Sequence, residues 1–208
     1  MVTIYGRVRS RAPRCLWAAE ETAIEYEHIP TDHREGETQK PEFLAVNPNG
    51  RIPAMVDGDV VLCESMAINL YLARKYGSEL WPQNEDDQAR ALQWSFWAMS
   101  EIEPPVIKVL IQFIRVSDED RDYDLIKGAD EDMQRPLKVL EAHLADRDYL
   151  LGDKFTIADL NLSSVFALGE FLPGFYDERL TSYRKVGLWL KEKCLGRVAY
   201  GKVMAGLV

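Results

Sequence analysis

The 208-residue chain carries 25 Lys and Arg against 34 Asp and Glu, a net charge of −9, with 47% hydrophobic residues; this suits a globular protein of one large or two small domains. The acidic balance excludes a general affinity for nucleic acid or anionic lipid, both of which need phosphate-neutralising cations. No stretch approaches the ~18 apolar residues of a membrane helix, and arginines stand where a signal peptide needs an apolar run, so a soluble, cytoplasmic protein is expected. Cys15, Cys63 and Cys194 are far apart and form no Cys-x-x-Cys pair, and His28, His33 and His143 share no helix-face spacing. Neither a disulfide framework nor a metal site is expected from them.

In chain order, residues 2–5 and 24–30 alternate as short strands, with Ile24, Tyr26 and His28 on one face of the second, and the Ala- and Glu-rich stretch 11–22 between them reads as a helix. Strand, helix and strand joined this tightly predict a βαβ unit. A polar loop over 31–40 leads to a short helix at 41–46, which Asn47-Pro48-Asn49-Gly50 stops. Two apolar runs flank Asp57-Gly58-Asp59, a hairpin signal, and residues 64–76 follow as a helix ended by Gly77, with Ala67, Leu70, Tyr71 and Arg74 on one face. Beyond residue 85 the strand signals vanish, and segments near 86–116, 124–145, 156–171, 179–192 and 194–205 read helical. The expected fold class is α+β: a βαβ-ββα domain over 1–78, a linker over 79–85 and an all-α domain over 86–208. Pro104-Pro105 predicts a kink in the first long helix, and Phe155-Thr156-Ile157-Ala158-Asp159-Leu160 predicts a capping box with a hydrophobic staple.

Some of these residues can carry chemistry. Arg7, Arg9, Arg11 and Arg14 crowd around Ser10, a basic cluster that focuses a small anion or is simply a solvated face. Ser10 reads either as a helix N-cap or as a hydroxyl facing a ligand; were it the N-cap, Pro13 would offer its oxygen no N–H at N3, leaving only the Ala12 amide. Pro53 opens a strand, and Glu64-Ser65 opens a helix, where free N–H groups favour a cap, a bound carboxylate or both.

The segments "RSRAPRCLWAAEE", "NPNGRIPAMVDGDVVLCESMAINLYLARKYG" and "FTIAD", in the βαβ-ββα order, resemble a cytosolic glutathione S-transferase of bacterial type with a serine-type active site, over nearly the whole chain. The resemblance implies a thioredoxin-like N-terminal domain and a glutathione transferase that conjugates the glutathione thiolate to small apolar electrophiles, with no cofactor beyond glutathione. It implies that the Ile52-Pro53 bond is cis and that Ile52, beside Arg51, pairs with the cysteinyl part through its backbone. Glu64 and Ser65 would hold the γ-glutamyl end, and Gln39 and Lys40 the glycyl carboxylate. Ser10 would hold the thiolate, although alignment through "SRAPR" moves that position to Arg9 or Arg11. An electrophile pocket lined by Arg11, Trp97, Glu101, Pro104 and Phe166, and a homodimer, complete the expectation. Alternatives on the same fold are a glutathione-dependent peroxide or disulfide reductase, an isomerase, a dehalogenase and a non-catalytic binding protein.

Overall fold

The computed structural model describes residues 1–77, 79–172 and 174–206. The chain divides into two units, Met1–Gln83 together with the segment from Arg197 onward, and Asn84–Gly196. The expected end of the first domain falls at Ser78, which lies outside the described residues. At the other end the finding differs from the expected 86–208 domain, because the final helix belongs to the first unit.

That first unit holds β1 (Val2–Tyr5), α1 (Ala12–Glu21), β2 (Tyr26–Ile29), α2 (Pro41–Val46), β3 (Ala54–Asp57), β4 (Val60–Cys63) and α3 (Ser65–Tyr76). The sheet runs β2-β1-β3-β4, with β1 and β2 parallel and the other pairs antiparallel. This is the thioredoxin-like order read from the sequence. The hairpin turns at Gly58-Asp59, with Asp57 opposite Val60 and Gly58 at φ +59°, a conformation that suits glycine.

The face of α3 that carries Ala67, Leu70, Tyr71 and Arg74 is not the one turned to the core. Ile68, Asn69, Leu72 and Ala73 are buried, whereas Ala67 and Arg74 are exposed. The reason is polar: Tyr71 is spent on a hydrogen bond to Asp57 at 2.8 Å, which Tyr76 joins at 2.6 Å and Lys75 at 2.7 Å. Burial alone would raise the Asp57 pKa, but the bonds from Lys75, Tyr76 and Tyr71 outweigh it and hold the carboxyl at about 2. An acid whose folded pKa is depressed stabilises the fold above its unfolded value of 3.8 and loses that contribution as pH falls towards 2. Asp57→Asn is therefore expected to cost about 2 kcal/mol at neutral pH. Denaturant titrations of the two proteins should converge as pH drops from 4 to 2; curves that stay equally far apart would show that the carboxylate charge is not the source.

The last helix, α10 (Val198–Ala205), packs on α1. Arg197 straddles the Glu21 carboxylate at 2.6 and 2.8 Å, and Trp17 donates its indole N–H to the same group at 2.9 Å. The rings of Trp17 and Tyr200 lie 4.8 Å apart. Such bidentate, half-buried contacts explain why a segment at the chain's end completes the first unit.

The second unit is helical: α4 (Glu85–Trp97), α5 (Glu103–Ile114), α6 (Tyr123–His143), α7 (Ile157–Phe166), α8 (Phe175–Leu180) and α9 (Arg184–Leu188). Asn84 and Asp122 cap α4 and α6 by accepting from the Asp87 and Leu125 amides, each at 2.8 Å. The expected kink at Pro104-Pro105 takes the form of a π turn over Ala98–Ile102, in which the Glu103 N–H reaches back to the Ala98 carbonyl. Both prolines lack the N–H that an α-helix would use, and the turn before them loosens rather than breaks. Every residue of α7 is buried, and its capping box is formed as expected. The stretch expected as one helix over 179–192 is interrupted at Thr181–Tyr183, then resumes in α9 and a π turn over Trp189–Cys194. No helix among the described residues is long and apolar enough to cross a membrane.

Candidate functional site

In the first unit, β1 and β2 run parallel, so the loops that leave their carboxyl ends lie side by side, the usual place for a ligand on an α/β sheet. Gly6 is the pivot. Its φ is +138°, and a Cβ there would stand 2.8 Å from the Ala12 Cβ and 3.2 Å from the Ile52 Cβ, so glycine is what lets the start of α1 and the Ile52 loop meet. The Gly6 N–H donates to the Ile29 carbonyl at 2.9 Å, and the His28 imidazole Nε2–H donates to the Gly6 carbonyl at 2.7 Å. His28 is thereby a backbone anchor.

Ser10 stands one residue before the N-cap of α1, which is Arg11. Its oxygen accepts the Ala12 N–H at 3.0 Å, and its own hydroxyl donates to the Arg7 carbonyl at 2.6 Å. The helix therefore starts one position later than a Ser10 cap would place it, with Pro13 in the first turn where its missing N–H costs nothing. The arginine cluster separates. Arg9 and Arg11 are exposed, Arg7 pairs with Asp32 at 2.7 Å, and Arg14 is buried against Ser65, its Nη1 lying 3.4 Å from the hydroxyl. Cys15 is fully buried, and burial pushes its thiol far above the ordinary range despite the nearby Arg14 charge. It is a packing residue rather than a nucleophile.

The Ile52-Pro53 bond is cis. Pro53 is buried and Ile52 half-buried, and no hydrogen bond from the Ile52 backbone is found among the described residues. The loop before them is built on Asn47, 2% exposed, whose side-chain amide donates to the Arg51 carbonyl at 2.6 Å while its Oδ1 accepts the Asn49 N–H at 3.1 Å. Arg51 is itself exposed. Gln39 reaches the same loop, its amide 3.5 Å from the Gly50 carbonyl, and Lys40 lies 3.7 Å from Glu37.

Glu64 is the N-cap of α3 at φ 70°, ψ 111°, makes no capping bond and is exposed. A non-glycine residue in that region costs of order 1–3 kcal/mol, and such strain gathers at ligand clamps. Ser65, 4% exposed, is the first helical residue and not the cap. Its carbonyl lies 3.8 Å from the Cys15 sulfur. The Met66 and Ala67 N–H groups that follow have no intrahelical acceptor, as at any helix start.

The residues expected to meet an electrophile divide between the units. Arg11 is exposed in the first. In the second, Trp97 meets Trp94 edge-on with centroids 5.1 Å apart, Glu101 pairs with Arg135, Pro104 is exposed and Phe166 is 1% exposed in the core. Sequence reasoning missed Asn47, taken as part of a helix stop, and the separate fates of Arg7 and Arg14, taken as one cluster. The Asn-Pro-Asn-Gly turn chemistry was the available signal for Asn47; the burial of Arg14 had none beyond its place among apolar neighbours.

Residues 1–74 match the family model of the glutathione S-transferase N-terminal domain, and residues 102–193 match that of the C-terminal domain. Glutathione S-transferase F9 of Arabidopsis thaliana is 34% identical over 165 residues, 77% of either chain. The chain belongs to the glutathione S-transferase family. Within it, glutathione S-transferase GstB of Escherichia coli K12 is 31% identical over 185 residues, covering 87% of this chain and 86% of that one. The structure of glutathione S-transferase I from maize, in complex with an atrazine glutathione conjugate, superposes with a TM-score of 0.88 at 32% identity, covering 99% of this chain and 97% of that one. The two family models thus fall one in each unit.

Proposed function

We propose that this protein is a glutathione transferase that joins the glutathione sulfur to small apolar electrophiles. The observation that carries the reading is the linked set of contacts at the carboxyl end of the first unit's sheet: Gly6 against Ala12 and Ile52, Arg14 against Ser65, and Gln39 over Gly50. In this reading Ile52, before the cis bond, offers its backbone N–H and C=O to the cysteinyl part. The start of α3, with the Ser65 hydroxyl and the Arg14 cation behind it, takes the γ-glutamyl carboxylate, where helix amides favour an anion. Glu64 accepts from the ligand's ammonium, and Gln39, Lys40 and Arg51 face the glycyl carboxylate.

A free thiol with pKa ~8.5 is only a few per cent ionised at neutral pH. Ser10 stabilises the anion by donating to it, and the exposed Arg9 and Arg11 charges favour ionisation further. The sulfur then forms a bond to the electrophilic carbon as its leaving group departs. This nucleophilic step calls for no cofactor besides glutathione. The three free thiols suit a reducing, cytoplasmic compartment. The edge strand β4, with Val60 and Val61 38% and 48% exposed, suits coverage by a second copy in a homodimer.

Retention on immobilised glutathione tests the reading: no binding at all would sink transferase and reductase alike. Ser65→Ala is expected to weaken glutathione affinity about tenfold while slowing saturated turnover much less. The opposite split would remove Ser65 from the carboxylate seat. Conjugation of a chloronitroaromatic is expected to exceed peroxide and disulfide reduction in a parallel assay.

A further inference from the structure

The loop over 31–40 is a small self-bonded body. The Asp32 carboxylate accepts the Arg34 N–H at 2.8 Å, and its own backbone N–H donates to the Glu37 carboxylate at 2.7 Å. Gly36 turns the chain at φ +74°, and Gln39 and Lys40 close it with amides bonded to the Gly36 and Glu37 carbonyls at 3.0 and 3.3 Å. Its two ends are tied to the chain on either side, the Thr31 N–H to the Ile29 carbonyl at 2.8 Å and the Lys40 carbonyl to the Phe43 and Leu44 amides at 3.1 and 3.0 Å, and it reaches across to the neighbouring loops through side chains. Its Gln39–Gly50 contact, at 3.5 Å, is at the limit of a hydrogen bond.

The short contact is made by Arg7, whose Nη1 meets Asp32 Oδ2 at 2.7 Å with both side chains largely shielded, at 18% and 23% exposure. Arg7 sits on a fixed base. Gly6 before it is bonded to Ile29 and His28, and the Arg7 carbonyl accepts the Ser10 hydroxyl. A charge-assisted bond at 2.7 Å from a fixed base, against a side-chain contact of 3.5 Å from Gln39, makes Arg7 the stronger of these two holds on where the middle of the loop lies.

We propose that Arg7 is a positioning residue: through Asp32 it docks the 31–40 loop so that Gln39 and Lys40 stand at the right distance from the thiol end of the site, and it thereby selects for the glycyl end of the thiol substrate. This rests on the glutathione reading above. Arg7 touches no substrate itself, and its action is on affinity for one end of the peptide.

The test compares glutathione with γ-glutamylcysteine, which has the same thiol but no glycine to reach the loop. In steady-state conjugation of a chloronitroaromatic, Arg7→Met is expected to raise the KM for glutathione about five- to tenfold, the net size of one ordinary hydrogen bond, with kcat little changed. The KM for γ-glutamylcysteine should move by less than about twofold, since that thiol has no glycyl carboxylate for a misplaced loop to miss. Arg7→Lys, which keeps the cation, should recover most of the glutathione KM. Equal rises for both thiols, or no rise for either, would overturn the docking role while leaving glutathione as the substrate. A wild-type protein that does not saturate with glutathione would overturn the reading and this inference together. Should Arg7→Met fail to fold, Asp32→Asn, which removes the charge but keeps an oxygen for the Arg34 N–H, must show the same thiol-selective rise in KM or the role is refuted.

Discussion

Ser10→Ala is expected to lower the rate of conjugation about 10- to 100-fold and to raise the pKa of enzyme-bound glutathione by about 1–2 units, the usual worth of one donor aimed at a developing anion. The geometry explains how a hydroxyl already donating to the Arg7 carbonyl at 2.6 Å can serve. Its oxygen is held separately by the Ala12 N–H at 3.0 Å, so rotation about the Cβ–Oγ bond turns the proton from carbonyl to sulfur without moving the oxygen. Thiolate absorbance followed against pH reads the effect directly. An unchanged titration would transfer the role to Arg11 or to a backbone amide. Because alanine also leaves the Ala12 amide without its acceptor, a loss of about 1 kcal/mol in stability should accompany the change. Ser10→Thr, which keeps the hydroxyl, should restore most of the titration.

Asp159→Ala should produce the largest loss of stability in the chain. The carboxylate is fully buried and accepts from the Leu150 and Thr156 amides at 2.8 and 3.0 Å, the Thr156 hydroxyl at 3.0 Å and the Trp189 indole at 2.9 Å. Burial pushes its pKa up, and these donors offset that only in part. Removing the acceptor strands buried donors, so about 3–5 kcal/mol is at stake. At roughly 2–4 °C per kcal/mol for a chain of this size, the melting temperature should fall by about 10 °C. A fall of only a degree or two would mean that water replaces the carboxylate. Asp159→Asn keeps one acceptor oxygen and should lose distinctly less, while glutathione affinity of the folded fraction stays as it was.

The capping box that frames Asp159 was legible because its spacing is local: a threonine, an acid three residues on and an apolar run behind them need no tertiary partner to be read. The same holds for the Gly58 hairpin, the βαβ order and the change to all-helical sequence near residue 85. Where expectation and structure part, the cause is a contact distant in sequence. The role of Tyr71 on α3 comes from Asp57, 14 residues away. The last helix joins the first unit because Arg197 finds Glu21 across 176 residues.

The candidate site divides in the same way. Which chemistry is present can be read along the chain: a proline in front of a strand, an acid-hydroxyl pair at a helix start, a serine among arginines. Residue type and local spacing express those features directly. What each arginine does is settled by folding, which buries Arg14 behind Ser65, ties Arg7 to Asp32 and leaves Arg9 and Arg11 in solvent. Four like charges within eight residues look equivalent along a chain. They become different when folding gives them different surroundings, because the energy of a charge depends on the burial and the counter-charges around it.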